Sequence, residues 1–162
     1  MNNTIAKAPR TAVQTAYTHA PDAGEGGQAC VLMLLEAYGL IPTISTRTVE
    51  DLCRIKPGRT TAGDLVRLAA QPPFLLELKT GYVNHAADLR QILFDERYPI
   101  ILVNHNGLRA FPQGQHWLLV MGYRHDDFLI LDPLVAEGVG IWMPAATLQP
   151  ALVKGIELNT AG

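Results

Sequence analysis

The sequence predicts an α+β domain, with a helical first half and a mostly antiparallel sheet in the second. Three observations carry this. Residues 28–38 are apolar almost all the way round and stop at Gly39, as a central buried helix does. Two further helix-period segments follow before Pro72-Pro73. Beyond those prolines the rhythm changes to short apolar runs separated by turn residues.

In chain order, residues 1–27 are rich in Ala, Thr, Gly and Pro and read as an arm or loop that includes Gln14. The helix from residue 28 carries Cys30 at its amino end. In Thr48 to Ile55, Val49, Leu52 and Cys53 fall at i, i+3 and i+4, so Cys53 reads as core and Pro57-Gly58 as the helix stop. Thr61-Ala62-Gly63-Asp64 resembles a capping box that opens a helix from Asp64 to about Ala70. Phe74 to Leu78 is expected as a strand, Ala86 to Arg97 as an amphipathic helix and Pro99 to Val103 as a buried strand. After a polar loop, Asn104 to Gln115, the runs Trp117 to Tyr123 and Phe128 to Leu131 flank Arg124-His125-Asp126-Asp127 and read as a hairpin. Ile141-Trp142-Met143 and Ile156-Glu157-Leu158 are candidate short strands.

At 162 residues the chain suffices for one domain with a real core. A net charge of -2 gives no electrostatic footprint for nucleic acid or an anionic membrane. The two cysteines form no CxxC or Cys/His pair of metal-ligand spacing, so no metal, cofactor or disulfide is expected. With no signal-peptide pattern and no long apolar run, the expected location is the cytoplasm.

The chemistry concentrates on three residues. Cys30 follows a Gly-rich stretch, Gly24 to Gln28, and a thiol in the first turn of a helix is drawn toward thiolate by the positive helix end. It needs a base and a group that orients the base. If the hairpin forms, His116 and Asp132 lie at its open end on adjacent strands, where a carboxylate can accept from an imidazole N–H. His19, His85, His105 and His125 read as solvated, with His105 able to line a groove; Trp117 and Trp142 read as core. Asp88, Asp95 and Glu96 share a solvated face with Arg90 and Arg97.

Several stretches in one order resemble the C39-like group of papain-like cysteine peptidases: Gln28 to Gly39, Gly58 to Thr61 with Asp64-Leu65, Tyr98 to Val103, Gln115 to Tyr123, and Leu129 to Pro133. The resemblance implies a single papain-like domain over 28–162, with its nucleophile helix against the sheet. It implies Cys30 as nucleophile, His116 as general base and acid, Asp132 as orienter, and a peptide or protein as substrate. It also implies an oxyanion hole made by the Cys30 N–H and a Gln side chain. The family's usual Gln position, about half a dozen residues before the cysteine, holds Gly24, which leaves Gln14 and Gln28 as candidates. The expected activity is narrow peptide-bond cleavage, as in leader processing or a delivered effector. Deamidation, acyl transfer and silent peptide binding are the alternatives.

Overall fold

The computed structural model describes residues 26–37, 61–71, 75–81, 83–104, 115–133 and 140–160. Gln14, His19, Phe74, His105 and the expected helix around Cys53 lie outside them. Helix α1 spans Gly26–Ala37 and α2 spans Ala62–Ala70; then come β1 (Leu78–Gly81), α3 (Asp88–Phe94), β2 (Ile100–Asn104), β3 (Gln115–Arg124) and β4 (Asp127–Leu131). The chain continues with β5 (Ile141–Pro144), α4 (Ala145–Ala151) and β6 (Leu152–Thr160). The strands form one antiparallel sheet in the order β1-β6-β2-β3-β4-β5.

Apolar surface that α1 cannot expose to water drives its packing. Val31, Leu32, Met33, Leu34 and Leu35 are all fully buried, and the helix lies against β3 and α2. β3 answers in kind, with Trp117 to Met121 continuously buried where an outer strand would alternate. Tyr98 and Phe128 are the bulkiest fully buried side chains of the same core.

Local chemistry explains the ends of the elements. Thr61 is the N-cap of α2: its hydroxyl accepts from the Asp64 N–H at 3.1 Å, and the Asp64 carboxylate accepts from the Thr61 N–H at 2.9 Å. The helix therefore begins at Ala62, ahead of the expected Asp64. The expected strand over 74–78 gives way to β1 starting at Leu78, because Leu75 adopts a left-handed φ of 52° that an extended strand excludes. The expected helix over 86–97 contracts to Asp88–Phe94. Asp88 ties down the turn before it by accepting from the Asn84 and His85 N–H groups, and Glu96, at φ 60°, leaves the helical region after it. Helix α4 was not foreseen; Pro144 and Pro150 break its sequence pattern, yet Leu148 and Ala151 are buried.

Arg90 on α3 holds the hairpin turn from outside. Its guanidinium donates to the His125 carbonyl and, at 2.8 Å, to the Asp126 carboxylate, and lies 5.9 Å from the Tyr123 ring centroid. Among the described residues no helix is long and apolar enough to cross a membrane. Among them, too, no group of three or more His, Cys, Asp or Glu is arranged to hold a metal ion.

The capping box gives a direct test of this local reading. Thr61→Ala removes the acceptor for the Asp64 N–H and is expected to lower unfolding free energy by about 1 kcal/mol, read from the urea midpoint at unchanged slope.

Candidate active site

Among the described residues the buried polar or charged side chains are Gln28, His116 and Asp132. Burying such groups costs free energy unless they are partnered, so the pairing of two of them in an otherwise apolar core marks a site. His116 enters at the start of β3 and Asp132 directly after β4; Nε2 of His116 lies 3.2 Å from Oδ2 of Asp132. With the ring proton on Nε2 donated to the carboxylate, Nδ1 keeps its lone pair for a second proton. Cys30 arrives from α1, and its thiol donates to the main-chain carbonyl of Trp117 at 3.5 Å. The nucleophile candidate thus rests beside the residue that follows His116.

A β-bulge decides whether the His–Asp contact can form. The two-residue turn pairs Arg124 with Asp127, Tyr123 with Phe128 and Gly122 with Leu129. An unbroken ladder continued from that register would set Asp132 opposite Leu119, on the face away from His116. Met121 is instead the extra residue of a bulge, beyond which Val120 pairs with Ile130 and Leu119 with Leu131. One further step sets Asp132 opposite Leu118, whose face His116 shares. The pair is then diagonal, a separation of about 7–8 Å between Cα atoms that an imidazole and a carboxylate can bridge.

Two expectations are corrected. Cys30 is not in the first turn of its helix, because Gly26 and Gly27 are already helical and Cys30 is the fifth residue of α1. The dipole effect fades within the first turn. Nor is the thiol drawn toward thiolate: burial, and secondarily the charge of Asp132, push it well above the ordinary thiol value of 9.0. Gln28 sits inside the first turn and is completely buried, so it is a member of the helix rather than its cap. The Trp117 carbonyl left no signal in the sequence, since any residue carries one.

Neither a protein-family model nor a curated protein sequence matches the chain. Solved structures do. A double-glycine motif protease from an AMS/PCAT transporter, in complex with the leader peptide, superposes with a TM-score of 0.66 at 19% identity, covering 96% of this chain and 97% of that one. A candidate C39-like peptidase from Bacillus anthracis gives 0.67 at 13% identity, over 93% and 96%. The peptidase domain of Streptococcus ComA, a bifunctional ABC transporter of a quorum-sensing pathway, gives 0.65 at 16% identity, over 91% and 98%. The chain therefore has the papain-like, C39-like peptidase fold.

The raised thiol has a thermodynamic consequence of definite sign. A group whose folded pKa lies above its unfolded value contributes stability that is complete below the unfolded value and lost as pH rises through the folded one. From pH 7 to 10, the urea midpoint of the wild type is expected to fall more steeply than that of Cys30→Ala. Parallel curves would contradict the buried neutral thiol.

Proposed function

We propose that the protein is a cysteine peptidase that cleaves a peptide bond through Cys30, His116 and Asp132 and an acyl-enzyme intermediate, with narrow specificity. The observation that carries the reading is the His116 Nε2 to Asp132 Oδ2 contact, buried beside Cys30 in a core with so few other polar groups.

In this reading the three groups act in turn. Asp132 holds the imidazole through Nε2, and Nδ1 serves as the base. As sulfur attacks the substrate carbonyl carbon, the thiol proton passes to Nδ1, an S–C bond forms and the carbonyl π electrons move onto oxygen. The imidazolium then protonates the leaving amine as the C–N bond breaks, and water, deprotonated by the same ring, releases the acid and restores the thiol. Gln28, two residues before Cys30, is the described candidate for a side-chain oxyanion donor. Gln14 remains the alternative from outside the described residues.

The substrate class rests on the fold likeness: one neighbour was captured with a leader peptide, and leader removal is the task we assign here, with action as a delivered effector the other narrow role. A reduced cytoplasm suits a nucleophile that must stay a free thiol. Burial of Cys30 favours a second reading, a peptide-binding domain without turnover.

A peptide-library digest analysed by mass spectrometry separates the two. New termini are expected with the wild type and none with Cys30→Ala, while His116→Ala is expected to lower kcat by about 10²–10⁴-fold. Asp132→Asn should lower kcat with little change in KM, because it disturbs the orientation of the base rather than peptide contacts. Cleavage at the wild-type rate by Cys30→Ala would refute the peptidase reading. Peptide binding without cleavage by the wild type would establish the second.

A further inference from the structure

The nucleophile site is arranged for rest rather than attack in three separate respects. Cys30 has no solvent-exposed surface. Its thiol proton is engaged by the Trp117 carbonyl, an oxygen that would repel a thiolate in the same place. And as the fifth residue of α1, Cys30 has its main-chain N–H aimed at the Gly26 carbonyl in the helical i to i−4 pattern, so it is spent within the helix. Acyl transfer needs an unspent donor where the oxyanion develops, and a sulfur that substrate can reach.

The last of these obstacles depends on a single turn, and that turn is built from the weakest helix formers available short of proline. Gly26 and Gly27 open α1, whereas every residue from Val31 to Leu35 is a buried apolar side chain that anchors the rest of the helix. Each glycine favours the helical state about fivefold less than alanine does. The glycines have no side chains to unpack, so what holds the turn closed is the burial of its backbone and of Gln28, and opening it leaves the anchored turns in place. Once Gly26 leaves the helix, the Cys30 N–H loses its acceptor and becomes one of the unsatisfied donors of a new amino end, and the thiol acquires the helix-terminus environment that it lacks at rest.

We propose that the Gly26–Gly27 turn of α1 is the arming switch of the site, helical at rest with the Cys30 thiol held on the Trp117 carbonyl, and unwound when the nucleophile is exposed. The inference rests on the reading of Cys30 as nucleophile, but its test requires no turnover.

The test is the rate of iodoacetamide alkylation at Cys30 in the native protein at fixed pH, resolved by peptide mass spectrometry so that Cys53 does not contribute. Gly27→Ala favours the closed turn and is expected to slow alkylation about fivefold, the equivalent of 1 kcal/mol. Ala29→Gly weakens the same turn and is expected to speed it by a similar factor; two variants of opposite sign guard against one that packs badly. Thr61→Ala on α2 lowers global stability without touching the turn and should leave the rate unchanged. If Thr61→Ala speeds alkylation as much as Ala29→Gly does, the thiol is exposed by global unfolding and the proposal is overturned. It is equally overturned if neither α1 substitution changes the rate. Failure of the peptidase reading would appear elsewhere, as cleavage that survives Cys30→Ala.

Discussion

Every residue from Gly26 to Leu35 is buried, so α1 has no face to give to water and must be covered on all sides. β3 provides much of that cover, and to do so it gives up the alternation of a solvent-facing strand. The rest of the sheet follows, since a strand buried on both faces needs neighbours along both edges: β2 on one and β4 on the other. The same packing sets the Cys30 thiol on the Trp117 carbonyl, one residue along from His116. A hydrophobic requirement, not a polar one, brings the chemical groups together.

Asp132 acts on its two neighbours in opposite senses. Through the hydrogen bond to Nε2 it holds the ring of His116 in place. Through space, its charge adds to burial in opposing a thiolate at Cys30. Burial is the larger of these influences on the thiol, so Cys30 rests neutral while the His116 ring is already held. In that balance, readiness lies in the geometry of the His–Asp pair, and restraint lies in the surroundings of the sulfur.

What could be read from the sequence divides along physical lines. The apolar run of α1, the Thr61–Asp64 capping box and the β3–β4 hairpin were legible because each is encoded by residues close together in the chain. The hairpin also put His116 and Asp132 at one end, though the sequence alone did not settle on which face each would lie. That depends on Met121, where one extra residue in β3 has no compositional signature. The true start of α1 was hidden for a related reason: Gly26-Gly27 reads as loop by propensity, and only tertiary burial holds it helical. Helix α4 is hidden in the opposite sense, because Pro144 and Pro150 argue locally against a helix that the burial of Leu148 and Ala151 supports. The C39-like fold was legible from the order of several short motifs, and superposition on solved structures at 13–19% identity shows the same fold.

The Met121 bulge turns the His–Asp contact into a matter of counting. The contact senses the difference in length between two strands, measured from the turn to the open end, and it is satisfied by one parity and defeated by the other. Residues may come and go from this hairpin in descendants of the sequence only where the two strands stay in step below the bulge. An unmatched single-residue insertion between Met121 and His116 would turn the imidazole to the opposite face without altering any residue of the site. The His116–Asp132 pair is thus inherited as a length as much as a set of side chains.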